Sequence, residues 1–292
     1  PIRQENQGVS TARNNGIKKA SGKYLIFMDP DDWYPEEDIL EVLFEKAEKS
    51  GCQICGGEFS EYDDKTGEVR TEFPEQYFGY VFQKEAVIEY RDWQFDFGYH
   101  RFLYNREFIL EHQLYFPKLI RFQDPPFFVK AMITAEKFYA VKKVVYRYRY
   151  GHRDLKWTRE KRIALLKGIY MDMDMAVRNH LERLVDLTWF RMTEEFGEII
   201  CCGIIEGETE IEEWIRRVYD CLEIDRKEKY GYPFYRRFRD EVILLKEKQR
   251  KEDERLENEI KAIKNSITFR VGKYLLYIPR CIKLALWSRK KS

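Results

Sequence analysis

An apolar run without a polar interruption, Tyr24-Leu25-Ile26-Phe27-Met28, stops abruptly at Asp29-Pro30-Asp31-Asp32. A run of that kind predicts a strand covered on both faces, which requires helices above and below a sheet. The flanking sequence supplies them. Residues 10–20 read as a helix with Ser10 near its N-cap and Gly22 closing it. Pro35, followed by Glu36 and Glu37 where the helix dipole favours acids, opens a second helix that runs to about Ser50 and ends at Gly51. Residues 53–59 predict another strand, 63–67 a turn, and 68–73 a polar strand. Strand, helix and strand in this order predict an α/β domain with a mostly parallel sheet.

Residues 93–150 are rich in aromatic side chains. They predict a loop at 96–99, helices near 106–112 and 125–135, and strands across 138–148. From residue 161 onward the pattern is helical. Residues 244–264 are highly charged, with Leu244, Leu245, Leu256, Ile260 and Ile263 interspersed, as in a long solvated helix or a weak coiled coil. The chain therefore divides into 1–155, 156–243 and 244–292.

With 52 basic and 51 acidic side chains the formal charge is +1, which argues against nucleic acid as a partner, because a duplex binder needs a basic surface. The balance is local only in part: residues 265–292 hold seven Lys/Arg and no Asp/Glu. Cys52-x-x-Cys55 lacks the second ligand pair that a zinc site needs, so both read as small buried side chains. No secretory leader or paired-cysteine framework is visible, and a cytoplasmic setting is expected. The polar segment 1–8 leads straight into a helix, whereas an α/β domain usually opens on a strand. Upstream β-α units are therefore expected to precede it.

Three carboxylates within four residues repel one another unless a cation or solvent intervenes. At the end of a buried strand they stand where α/β folds place ligands. Hard oxygen donors with open positions suit Mg²⁺ or Mn²⁺ bridging a diphosphate. Taken alone, such a turn is more often only a turn with capping aspartates. Its surroundings change that. Asn6-Gln7-Gly8-Val9-Ser10-Thr11-Ala12-Arg13-Asn14-x-Gly16-Ile17, then Ala20-Ser21-Gly22-Lys23-Tyr24, then Phe27-Met28-Asp29-Pro30-Asp31-Asp32 resemble, with the same spacing, the central signature of family 2 glycosyltransferases. The resemblance covers about residues 1–155. It implies a GT-A fold, that is, a Rossmann-like nucleotide-diphospho-sugar transferase sheet flanked by helices, here with a C-terminal helical extension. It implies Asp29 and Asp31 as metal and donor ligands, Asp32 beside them, Arg13 as a donor contact, and Mn²⁺ or Mg²⁺ as the ion. Arg13 also reads plainly as a solvated helix residue.

Arg121-Phe122-Gln123-Asp124-Pro125-Pro126 resembles the family's later Glu-Asp motif, with Gln123 in place of Glu. That resemblance implies Asp124 as the catalytic base. Asp124 before two prolines is equally suited to cap a helix, and the two roles are compatible. The family's late His is matched by His152 in the loop 150–154, which implies a metal or diphosphate contact. His100 and Arg101 stand where the family has a loop near the acceptor, which implies contacts to donor phosphates or acceptor; an aromatic loop packing over the sheet is the equal alternative. The implied reaction moves a sugar from a nucleotide-diphospho-sugar to a hydroxyl of a saccharide or lipid-linked acceptor, inverting the anomeric centre. The implied setting is cell-surface polysaccharide synthesis at the cytoplasmic face.

In the tail, residues 267–287 mix apolar and basic side chains with Trp287, and no run reaches the length that spans a bilayer. Such a stretch suits either an anionic membrane surface, as a peripheral contact, or docking on protein. The rival reading of the whole chain is a non-catalytic interaction or scaffold module. A nucleotidyltransferase would want a glycine- and Arg/Lys-rich loop that the sequence does not display.

Overall fold

The computed structural model describes residues 2–152, 155–231 and 234–266. By contacts the chain forms two compact units, Pro1–Tyr232 and Pro233–Ser292. The first contains strands β1 (Tyr24–Leu25), β2 (Ile54–Asp63), β3 (Val69–Arg70), β4 (Ala86–Glu89), β5 (Phe102–Asn105) and β6 (Lys137–Tyr150). Its helices are α1 (Val9–Lys19), α2 (Ile39–Ser50), α3 (Tyr90–Trp93), α4 (Arg106–Glu111), α5 (Asp124–Ala135), α6 (Arg159–Arg178), α7 (Glu182–Phe190), α8 (Gly197–Ile205), α9 (Thr209–Asp220) and α10 (Ile224–Tyr230). The second holds α11 (Phe234–Asn265).

The sheet runs β1-β5-β2-β6-β4, with β3 on β2. An α/β sheet flanked by helices is what the residues predict, but its strand senses differ from the mostly parallel sheet expected. Among the described strands only β2 and β6 pair in parallel; β1–β5, β2–β5, β2–β3 and β4–β6 are antiparallel. Strand β5 accounts for two of these pairings: its four residues lie inside the aromatic stretch, show no alternation, and insert between β1 and β2. The run at 24–28 is also thinner than expected. Only its first two residues pair, Leu25 is buried, and Met28 is exposed.

Gly56 and Gly57 let β2 sit deep in the sheet. A Cβ on Gly56 would run into the Phe102 ring, and one on Gly57 into the Val145 side chain. The core is largely aromatic: Phe116 and Phe127 stack at 3.9 Å, and Phe27 meets both edge-on. Cys52 and Cys55 are buried, as small apolar side chains would be.

Two helix starts differ from expectation. Ser10 does not cap α1, whose cap is Gly8; its Oγ instead donates to the Leu119 carbonyl at 3.1 Å. The second helix begins at Ile39, not at Pro35, and Glu36 and Asp38 pair with Lys143 of β6. Helix α6 is the spine of the helical part, packing against α5, α7 and α9. Its buried Arg162 pairs with Glu206 and Glu208. In the second unit, α11 carries Arg255–Glu259 at 3.5 Å and keeps Leu256, Ile260 and Ile263 exposed. Among the described residues no helix is long and apolar enough to cross a membrane. The tail 267–292 lies outside the described residues.

Candidate active site

The acid turn after β1 is held from three elements. From α1, Arg13 Nη2 donates to Asp29 Oδ1 at 2.6 Å, while its guanidinium lies over the Tyr99 and Phe116 rings at 4.9 and 5.3 Å. Tyr99 Oη reaches the same carboxylate oxygen at 3.4 Å. From β6, the Tyr146 hydroxyl accepts the Asp29 backbone N–H at 3.2 Å and donates to Asp32 Oδ2 at 2.6 Å. The Arg149 N–H donates to Asp32 Oδ1 at 2.8 Å. Burial pushes the Asp32 carboxyl up to about 6 against the pull of those two hydrogen bonds, and the Asp29 and Asp31 charges add to the rise.

Past β6, Gly151 takes a left-handed backbone (φ 83), open to glycine at no steric cost. The chain turns there, and His152 Nε2 comes 2.9 Å from Asp31 Oδ2. Arg153 and Asp154 of that loop lie outside the described residues.

A divalent ion at the turn would draw on these groups. Among the described residues no set of three His, Cys, Asp or Glu side chains converges to hold one. Asp31 and His152 face each other, whereas Asp29 is engaged by Arg13. Two such donors fit Mg²⁺ or Mn²⁺ bound jointly with a phosphate ligand, because these ions take one or two protein carboxylates and fill the remaining positions with substrate oxygens and water. The Asp31 carboxylate accepts from Nε2 of His152, which favours the Nε2–H form, and the buried Nδ1 has no hydrogen-bond partner among the described residues.

Asp124 is the first residue of α5. The residue before the helix is Gln123, and no side chain caps it, so the capping role expected of Asp124 is not taken. What fixes Asp124 is the strained turn before it. Phe122 has φ 58, costly for a bulky residue, and is buried. It packs on α6 at Gly168, where any Cβ would collide with the Phe122 carbonyl. Asp124 keeps a partly open rim, but its carboxyl lies in dense surroundings. Burial raises its pKa, while the positive charges of Arg13, Arg121 and Arg191 hold it down in part.

Asp29, Arg13 and Asp124 line a single cleft of about 360 Å³. Phe73, Tyr77, Tyr80, Phe97 and Phe196 also line it, with Arg191 and Glu195 from a π-helical turn at Arg191–Glu195 between α7 and α8. The structure thus brings Arg13, Asp29 and Asp124 to one cavity and sets Asp31, Asp32 and His152 on the adjoining turn. Of the acceptor-loop pair, His100 lines the cleft. Arg101 is fully buried and donates to the Gly57 carbonyl at 2.7 Å and to that of Gly79, a packing role.

Sequence reasoning gave no role to Tyr146 or Arg191, and read Tyr99 only within an aromatic run suited to sugar stacking or to the core. The alternation Tyr146-Arg147-Tyr148-Arg149-Tyr150 was a legible signal, since alternate residues of a strand share a face. Nothing in the sequence marks Arg191, which joins the cleft only through the packing of α7 and α8.

Residues 1–112 match the model of the family described as Glycosyl transferase family 2. The uncharacterized glycosyltransferase EpsJ of Bacillus subtilis is 35% identical over 155 residues, covering 51% of this chain and 44% of that protein. The minor teichoic acid biosynthesis protein GgaB of the same organism is 39% identical over 67 residues, 23% of this chain and 7% of its own. The chain therefore spans less than half the length of these relatives. Among solved structures, S. aureus TarS 1-349 in complex with UDP-GlcNAc superposes with a TM-score of 0.59 at 14% identity, over 76% of this chain and 64% of that one. That likeness is one of fold, and the fold is GT-A. Over residues 1–112 the chain is thus similar in sequence to the family 2 glycosyltransferases, and its fold is like that of TarS.

Proposed function

We propose that this chain transfers a glycosyl unit from a nucleotide-diphospho-sugar to a hydroxyl of a saccharide or lipid-linked acceptor, with inversion and with a divalent ion. The observation that carries the reading is that the acid turn, through Asp29 and Arg13, and the carboxyl of Asp124 face one cleft. The similarity of residues 1–112 to that family supports the reaction class, and the UDP-GlcNAc carried by TarS supports the donor class.

In this scheme Asp124, ionised, accepts the proton of the acceptor hydroxyl. The acceptor oxygen bonds to the anomeric carbon as that carbon's bond to the diphosphate oxygen breaks, and the nucleoside diphosphate departs. Arg13, held between Asp29 and the two aromatic rings, presents a fixed positive charge beside that leaving group. An ion on Asp31 and His152 would supply further charge compensation there. Tyr146 keeps the turn in register by joining the Asp29 backbone to the Asp32 carboxylate. The setting we propose is cell-surface polysaccharide synthesis on the cytoplasmic face, supported by the naming of GgaB, with residues 267–292 as a peripheral membrane contact.

The test is a panel of nucleotide sugars with Mn²⁺, following donor hydrolysis and transfer, with Asp31→Ala as control. Turnover of one donor by the wild type, lost in the variant, is the expected result. Equal signals from the two proteins would remove the enzyme reading and leave an interaction module.

A further inference from the structure

One part of the cleft wall takes no part in the donor chemistry above, yet it is built as a binding surface. The half-buried rings of Tyr77 and Phe97 line it, packed against the buried Tyr80: Tyr77 lies parallel to Tyr80 at 5.8 Å, Phe97 meets it edge-on at 5.6 Å, and Phe59 stacks on it at 4.4 Å. Flat apolar faces of this kind match the C–H faces of pyranose rings.

Polar groups stand between the rings. His100 is 3% exposed and Asp96 1%, both line the cleft, and neither His100 Nε2 nor Asp96 Oδ1 has a hydrogen-bond partner. Buried polar atoms are rarely left so, unless a ligand or water completes them. Burial, then the Arg101 and Arg13 charges, hold the His100 imidazole well below its ordinary pKa range, so it stays neutral. Arg191 and Glu195 belong to a π-helical turn, a rare geometry that recurs at functional sites.

The charges at this wall are already matched. Of the four guanidinium groups lining the cleft, Arg13 pairs with Asp29, Arg70 with Glu61, and Arg191 with Asp96 and Glu195. Among the described residues only Arg121 lacks an acid partner, and it stands three residues before Asp124, at the reacting end. An anionic group at this wall would meet carboxylates and, among the described residues, no uncompensated cation. Hydroxyl groups would find carboxylate and imidazole acceptors.

We infer that this wall is the acceptor subsite and that it selects an uncharged saccharide unit, stacked on Tyr77 and Phe97 and hydrogen-bonded to Glu195, Asp96 and His100. The inference rests on the proposed transferase reading and commits it to one acceptor class.

The experiment is saturation-transfer NMR with the whole chain, using matched pairs of neutral disaccharides and their uronic-acid counterparts. Glu195→Gln and Tyr77→Ala are the variants, with circular dichroism to establish that each is folded; His100→Phe, which keeps the ring packing, is the third. The expected result is that neutral sugars bind the wild type, that their acidic counterparts bind at least fivefold more weakly, and that each folded wall variant loses at least fivefold in affinity. No saccharide binding, equal or better binding of the acidic sugars, or wild-type affinity in the folded wall variants would overturn it. Saccharide binding as expected with no transfer from any donor would instead count against the proposed reaction and leave the subsite standing.

Discussion

The turn after β1 and the start of α5 both present carboxylates to one cleft, and they treat them in opposite ways. At the turn, three acids are individually satisfied: Asp29 by Arg13, Asp31 by His152, Asp32 by Tyr146 and the Arg149 N–H. At α5, Asp124 makes no such close pair among the described residues. Its charge is opposed by burial and moderated by the field of Arg13, by its own backbone N–H, and by the fields of Arg121 and Arg191. A compensated acid holds cations and stays in place; an uncompensated one is poised to take a proton. The fold therefore separates binding from proton transfer within a single cavity.

The largest expected effect separates the two directly. Asp124→Asn should lower kcat by about 10²- to 10⁴-fold, the range for loss of a general base, while leaving donor affinity unchanged. Single-turnover kinetics with a bound donor would measure it; a matching rise in the donor's Kd would make Asp124 a binding residue and collapse the contrast. Asp31→Ala should do the reverse, weakening donor binding about 10- to 100-fold, the worth of one charge-assisted interaction.

Acidity sharpens the comparison further. Because burial raises the Asp124 pKa, the base is protonated at a pH where ordinary carboxylates are still charged. Below that pKa log(kcat) should fall by about one per pH unit, and the break should vanish from the residual rate of Asp124→Asn. A profile flat down to the ordinary carboxylate range would contradict the assignment. Tyr146→Phe removes one hydroxyl that bridges the turn and should cost about three- to tenfold in kcat/KM through donor binding, with Asp124 chemistry intact. Equal losses in kcat and in donor affinity would show that the turn and the base are not independent.

The smallest effect concerns stability. Asp172 on α6 is fully buried with neither oxygen hydrogen-bonded, and burial, then the nearby Asp96 charge, raise its pKa well above the ordinary value. The folded chain thus keeps a proton that the unfolded chain releases above the usual carboxylate range. Stability falls as pH rises from there toward the raised value, at up to about 1.4 kcal/mol per pH unit. Asp172→Asn should flatten that slope in urea titrations, with little change in transfer.

Much of this was legible in the residues, for reasons that differ by element. Helix α1, the acid turn and the Asp124 segment carry their chemistry in consecutive residues, and local order was enough to find them. Gly51 ending α2 (φ 66) and the helical character beyond residue 159 followed from backbone preference and periodicity. Strand β5 was hidden because four aromatic-rich residues carry no period. Its two antiparallel pairings followed it out of view. Arg191 was invisible because only the packing of α7 and α8 brings it to residue 124's cleft, and Arg101 stayed open between ligand contact and packing because a guanidinium buried on backbone carbonyls reads the same in sequence as either.

The central claim is that one cleft binds a nucleotide diphosphate at the acid turn and does its proton chemistry at Asp124. Calorimetric titration of UDP with Mn²⁺ into the wild type, Asp31→Ala and Asp124→Asn tests it most directly. The account predicts one Kd shared by the wild type and Asp124→Asn, and a value at least tenfold weaker for Asp31→Ala. The same affinity in all three proteins, or a loss confined to Asp124→Asn, would contradict it.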